Sequence, residues 1–303
     1  MPLVTGNFTP MNTFCFYHKV DWDGNISAAI VKDFIPGATL IPFDYNMELP
    51  LDLLNEDDTV FFVDVSTQPY TRIFDVINKV KKVIIIDHHK SFIDFANSSK
   101  LEDLPNVSLI LDPTYAACEL TYLYFKSDCD IPTAIALAGQ YDSWRNTKDK
   151  FKKYDVAWET VLRFQYGLRK HKLTPDGFFD KFLGWARVSD VILDGITILQ
   201  YQEIQNEMNL KNNSFIKEII GYNCLCLNSN ISSAKIFEPR WNEDDSIDFA
   251  LRFSFDGTGW SYSVYSNRSD RDASEFAKKF GGGGHRGAAG FYLKNADPFT
   301  LMS

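Results

Sequence analysis

Thr13-Phe14-Cys15-Phe16-Tyr17-His18-Lys19-Val20-Asp21-Trp22-Asp23-Gly24 changes character at its midpoint, and that change sets the reading of the first half of the chain. Its first five residues are aromatic, β-branched or apolar without alternation, which predicts a strand buried on both faces. The run then breaks into an imidazole and two carboxylates spaced two residues apart, before a helical stretch over residues 24–34. The pattern recurs twice. Residues 60–63 are followed by Asp64, and residues 83–86 by Asp87-His88-His89. Residues 70–80 read as a helix between those runs, and residues 106–111 as a further strand. Strand and helix therefore alternate as in an α/β doubly wound parallel sheet.

In such a sheet the carboxyl ends of neighbouring strands share one edge, and ligands bind in a crevice there. His18, Asp21, Asp23, Asp64 and His88 are thus expected to converge despite their separation in sequence. Carboxylates crowded together repel unless protons or cations neutralise them, and adjacent imidazoles suit manganese, iron or zinc better than a purely oxygen-liganding ion. Three of the five histidines (His18, His88, His89) follow these strands. Taken alone, Asp-x-Asp before glycine is more often a helix cap or a solvated loop, and paired histidines are often packed turn residues. The convergence of several motifs carries the metal reading.

The chain has 303 residues, 45% of them hydrophobic and 15% aromatic, enough for a sizeable core divided between two domains. A formal net charge of -9 argues against an extended basic track along long nucleic acid. Cys15, Cys118, Cys129, Cys224 and Cys226 are odd in number and form no CxxC pair, so a reducing, cytoplasmic compartment is expected. Residues 1–6 carry no basic segment ahead of an apolar one, and no run is long enough to span a bilayer, so a soluble protein without a membrane partner is expected.

Helical spacing dominates from about residue 116 to 212, with residues 188–201 expected as an interdomain helix. The polar run Lys211-Asn212-Asn213-Ser214 marks a boundary, beyond which residues 222–227, 249–255 and 261–265 read as strands of a smaller unit. Near the end, Gly281-Gly282-Gly283-Gly284-His285-Arg286-Gly287-Ala288-Ala289-Gly290 follows an expected helix over residues 272–280. Successive amides without side chains form a concave anion site, to which His285 and Arg286 would add donors. A flexible loop or tight turn is the plainer alternative. Trp22, Tyr141 and Trp144 flank the candidate ligands and are candidates to stack on a base, although core packing is the commoner role of such aromatics. Arg169-Lys170-His171-Lys172 and Glu243-Asp244-Asp245 read as solvated surface.

Asp87-His88-His89 after a buried strand, with Asp21, Asp23 and Asp64 upstream, resembles the DHH phosphoesterases of the RecJ-related superfamily. The glycine-rich run resembles the signature of their associated DHHA1 domain. The two lie in the expected order, and the resemblance covers almost the whole chain with a weakly matched middle. It implies an N-terminal doubly wound parallel-sheet DHH domain (1–187), an interdomain helix (188–213) and a smaller C-terminal α/β DHHA1 domain (214–303). It implies two divalent ions, Mn2+ foremost and Mg2+, Co2+ or Fe2+ as alternatives, held by His18, Asp21, Asp23, Asp64, His88 and Asp142, with Asp64 bridging. His89 would face the substrate as a proton donor and Asp87 would orient an imidazole. Gly282, Gly283, Gly284, His285 and Arg286, together with Arg268, would bind substrate.

The implied reaction is attack on phosphorus by a water that the two ions share. The implied substrate is a short oligonucleotide, cleaved to nucleoside monophosphates as by nanoRNases and oligoribonucleases. Cyclic or linear dinucleotides, or adenosine 3′,5′-bisphosphate, are the alternatives, and a homodimer is compatible with the resemblance. A non-catalytic nucleotide-binding module is disfavoured because the acidic and imidazole ligands are present. Related long-strand exonucleases usually add nucleic-acid-binding domains, for which a chain ending at Ser303 leaves little room. Family II pyrophosphatases lack the glycine and histidine signature.

Overall fold

The computed structural model describes residues 12–45, 47–127, 130–145, 157–176, 185–231, 233–241 and 243–294. Cys129 and residues 1–6 lie outside them. The chain divides into two compact units, Met1–Leu199 and Gln200–Ser303, and the division falls inside one long helix, Trp185–Asn213.

The first unit is built on five strands, β1 (Thr13–His18), β2 (Thr39–Phe43), β3 (Thr59–Val63), β4 (Lys82–Asp87) and β5 (Val107–Leu111). All are parallel, in the order β2-β1-β3-β4-β5. The unbroken apolar runs follow from burial on both faces. Phe16, Val60, Phe62, Val83 and Ile85 pack to one side with Val76 of α2 (Ile73–Ile77) and Phe92 of α3 (Lys90–Ser98). Cys15, Tyr17, Phe61, Val63, Ile84 and Ile86 pack to the other with Ala28 and Val31 of α1 (Trp22–Phe34) and Leu120 of α4 (Ala117–Phe125). Helices α5 (Thr133–Asp142) and α6 (Trp158–Leu168) add an outer layer, in which Ile135 and Phe164 meet Ile26 and Ile30 of α1.

The second unit carries a six-stranded mixed sheet in the order β10-β11-β9-β8-β7-β6. Its strands are β6 (Ser214–Ile219), β7 (Tyr222–Asn228), β8 (Phe249–Phe255), β9 (Trp260–Tyr265), β10 (Gly283–Gly284) and β11 (Ala288–Leu293). Only β7 and β8 run parallel to each other. The helix Ala273–Lys278 covers this sheet through Phe276, which lies 5.0 Å from the Phe249 ring.

Four strands were not legible in the sequence. Strands β2 and β6 are edge strands with mostly half-exposed or exposed side chains, and β2 carries Pro42, which an edge tolerates. The polar run at Lys211 ends a helix and leads directly into β6. The glycine-rich segment is the hairpin β10–β11. The helix expected over residues 70–80 is shorter: a 3-10 turn, Tyr70–Arg72, leads into α2. No helix among the described residues is long and apolar enough to cross a membrane.

Candidate metal centre

Strand register builds the site. Tyr17 pairs with Val63 and Val63 with Ile86, so His18, Asp64 and Asp87 stand at one level on three adjacent strands. The sheet order reverses between β1 and β3, where parallel sheets open a crevice at their carboxyl edge. Asp64 has φ 59°, a left-handed conformation that costs a residue other than glycine about 1–2 kcal/mol. Its N–H donates to the Ile86 carbonyl at 3.0 Å.

The turn into α1 supplies two more carboxylates. Asp21 caps the helix by accepting from the Gly24 amide at 3.0 Å, and the Asn25 side chain donates to the Asp21 carbonyl at 2.6 Å. A β-carbon at Gly24 would collide with the carbonyl oxygen of His18, so glycine lets α1 begin directly against the end of β1. Asp23 is 2% exposed, and its two oxygens accept from the amides of Ala117 (2.8 Å) and Cys118 (2.7 Å). The free amides and dipole at the start of α4 thus hold this carboxylate in place. Asp142 is the last residue of α5.

Three groups of residues offer donor atoms within 4.8 Å of one another and could hold a metal ion: His18, Asp21 and Asp64; Asp23, His88 and Asp142; and Asp64, His88 and His89. Asp64 belongs to both sides. Its Oδ2 lies 3.5 Å from His18 Nδ1, and its Oδ1 lies 3.4 Å from His88 Nε2. His18 Nδ1 is also 2.6 Å from Asp21 Oδ2, and His88 Nε2 is 3.2 Å from Asp142 Oδ2. The carboxyl oxygen Asp64 Oδ1 is buried and accepts no hydrogen bond. A buried carboxyl oxygen without a donor, ringed by imidazoles and carboxylates, fits a divalent cation of the transition series.

The electrostatics tell the same story. Burial, then Asp23 and Asp21, push Asp64 well above the usual carboxylate range. Burial and the Asp23 charge raise Asp142 to about 7. Burial alone would lower His18, but hydrogen bonds to Asp21 and Asp64 outweigh it and raise His18 to about 10. Burial would raise Asp21, but His18 outweighs it and holds Asp21 below its ordinary value. Bound protons neutralise part of this cluster's charge, and a divalent cation held there would displace them.

Asp87 belongs to none of the three groups. Its Oδ1 accepts from the amides of His88 (2.7 Å) and His89 (3.0 Å) and lies 2.7 Å from His89 Nδ1, which fixes the His89 ring. In the second unit, Gly283 and Gly284 pair with Gly290 and Ala289. The amides of Gly281, Gly282 and His285 donate to the carbonyls of Lys278, Ala277 and Ala288, so they are not offered to an anion. Gly284 has φ 143°, and a β-carbon there would press on Ala289. Gly283, Gly284, His285 and Arg286 are exposed, while Gly282 is half-buried. Arg268 donates to Asp270 (3.1 Å) and to the Asp245 carbonyl (2.8 Å), and Arg286 donates to the Ser269 carbonyl.

Sequence reasoning missed three neighbours of the site. Asp44, which follows the end of β2, lies 3.9 Å from His18 Nε2. The ring of Tyr45 stands 5.4 Å from His18 and 6.4 Å from His89. Glu119, on α4, pairs with Arg145 at 2.5 Å and lies near enough to Asp23 to feel its charge. The signal for Asp44 was present, since Thr39-Leu40-Ile41-Pro42-Phe43-Asp44 repeats the pattern of an apolar run followed by aspartate.

No family model matches the chain. An uncharacterised protein of Acanthamoeba polyphaga mimivirus is 26% identical over 249 residues, 77% of this chain and 53% of that protein. The chain thus spans about half the length of this curated relative. Among solved structures, an exopolyphosphatase-related protein from Bacteroides fragilis superposes with a TM-score of 0.53 at 13% identity, covering 96% of this chain and 89% of that one. Exonuclease RecJ bound to manganese superposes at 0.50 and 14% identity, covering 96% and 87%. The mixed α/β architecture with its five-stranded parallel sheet is a RecJ-like fold.

Proposed function

We propose that this chain is a divalent-metal-dependent phosphoesterase that hydrolyses the phosphodiester bonds of short oligonucleotides and releases nucleoside monophosphates. The observation that carries the reading is Asp64, whose two carboxyl oxygens face His18 on one side and His88 on the other. His18 and Asp21 would hold one ion, Asp23, His88 and Asp142 a second, and Asp64 would bridge them. Divalent ions in such a site supply a water of lowered pKa and polarise phosphoryl oxygens.

The chain's own groups do the rest. Asp87 locks the His89 ring through Nδ1, and its charge outweighs the effect of burial to raise the His89 pKa. With Nδ1 held by Asp87, His89 would donate from Nε2 to a phosphate oxygen or the leaving alkoxide. Arg268, Gly282, Gly283, Gly284, His285 and Arg286 would bind substrate, with the side chains of Arg268, His285 and Arg286 as donors in place of the internally bonded amides of Gly282 and His285. The two arginines would exchange their present contacts with Asp270 and the Ser269 carbonyl for phosphate. The fold shared with a manganese-bound exonuclease supports phosphodiester chemistry, and the net charge of -9 supports short substrates over long ones.

The test is manganese-dependent product release from RNA and DNA oligomers of increasing length, with cyclic dinucleotides and adenosine 3′,5′-bisphosphate alongside. Fastest cleavage of the shortest oligomers is expected. Selective hydrolysis of a cyclic dinucleotide or of the bisphosphate would keep the chemistry and replace the substrate. No hydrolysis of any of them with manganese, magnesium or cobalt would overturn the reading.

A further inference from the structure

Three aromatic residues flank the proposed ligands, and the structure separates them. Trp22 is 9% exposed and belongs to the core beneath α1. Tyr141 packs against the same core and stacks on Trp158 at 6.2 Å with rings 6° apart. Trp144 is different, being 58% exposed and two residues beyond Asp142. One side of its indole is backed by Trp158, at 6.3 Å and 30°.

The backbone sharpens the contrast. The Arg145 amide donates to the Gln140 carbonyl at 3.0 Å and the Trp144 amide to Tyr141 at 3.3 Å, closing α5 with Trp144 at φ 52°. Helix ends of this kind place glycine at the left-handed position, because any β-carbon is strained there. A large exposed indole in a glycine position is unfavourable for both backbone and solvation, which points to use by a ligand.

We propose that Trp144 is a stacking platform for the nucleobase next to the scissile phosphate. The inference rests on the proposed phosphoesterase reading and deepens it. Two residues span at most about 7 Å of chain, so the backbone of Trp144 stands beside that of Asp142 and its indole is within reach of a ligand held at the proposed ions. A phosphate held there would place its nucleoside against the open face of Trp144, with Trp158 behind. Every base has a π face, so this platform selects nucleotidyl phosphoesters over base-free phosphoesters without reading sequence.

The test compares kcat/KM for a linear dinucleotide, a cyclic dinucleotide and an abasic dinucleotide analogue in the presence of manganese. The wild type should prefer the base-bearing substrates. Trp144→Ala should raise KM for them about tenfold and shrink the preference over the abasic analogue by the same factor, while Trp144→Phe restores part of it. Trp144→Gly should melt no lower than the wild type while showing the same loss of preference, which separates a binding role from a structural one. If Trp144→Ala changes all three substrates equally, or none of them, the platform is overturned and the phosphoesterase reading stands. If the wild type cleaves none of the three, the platform falls, and the assays on longer oligomers and adenosine 3′,5′-bisphosphate decide the phosphoesterase reading separately.

Discussion

At the scale of single residues the centre is a problem of crowded charge. Asp21, Asp23, Asp64 and Asp142 meet His18 and His88 at one sheet edge, and Asp64 is held in a left-handed conformation to take part. Asp64→Asn keeps the shape and the tolerance for that backbone but removes the shared charge. It should abolish metal-dependent turnover and raise the melting temperature of the metal-free protein, because a buried, repelled carboxyl group is gone. An unchanged melting temperature together with retained turnover would contradict the bridging role. Asp142 supplies a pH test. A carboxyl raised from its ordinary 3.8 to about 7 binds its proton more tightly in the folded state. Its contribution to stability is therefore complete below about pH 4 and is lost as pH rises through about 7. Metal-free protein should melt progressively lower across that window, and Asp142→Asn should flatten the slope. A steeper slope in the variant would reverse the assignment.

At the scale of elements, strand ends and helix starts do the positioning. Gly24 lets α1 begin against the carbonyl of His18, so Gly24→Ala should move Asp21 and Asp23 relative to β1. Manganese affinity measured by calorimetry should fall at least tenfold while the helical circular dichroism is retained, and undiminished affinity would show that the junction has slack. The same logic explains what the sequence disclosed. Central strands β1, β3 and β4 are buried on both faces, so their unbroken apolar runs were visible, and the polar residue after each run marked the sheet edge. The convergence of His18, Asp64 and His88 follows from parallel register and needed no knowledge of side-chain positions. Edge strands β2 and β6 are mostly exposed or half-buried, and Pro42 interrupts the apolar run of β2, so the aspartate that follows it, Asp44 beside His18, was passed over. The hold of α4 on Asp23 spans more than ninety residues and depends on where a helix begins, which no local pattern records. The glycine run was visible as a motif, but β11 takes its place in the sheet by pairing with β9, a contact that no local pattern records.

At the scale of the whole molecule, every proposed metal ligand lies in the unit Met1–Leu199, and the glycine-rich hairpin lies in Gln200–Ser303. A ligand stabilises the part of the protein that binds it, by about 2.7 kcal/mol when its concentration is a hundred times Kd. Manganese should therefore slow amide hydrogen exchange chiefly in β1, β3, β4 and the starts of α1 and α4. Protection gained chiefly in β7–β9 would place the metal elsewhere. The central claim is that two ions share Asp64, and anomalous diffraction at the manganese edge from crystals grown with Mn2+ tests it most directly. Two peaks are expected to flank the Asp64 carboxylate, one in contact with His18 and Asp21 and the other with Asp23, His88 and Asp142. A single peak, or peaks away from these residues, would contradict it.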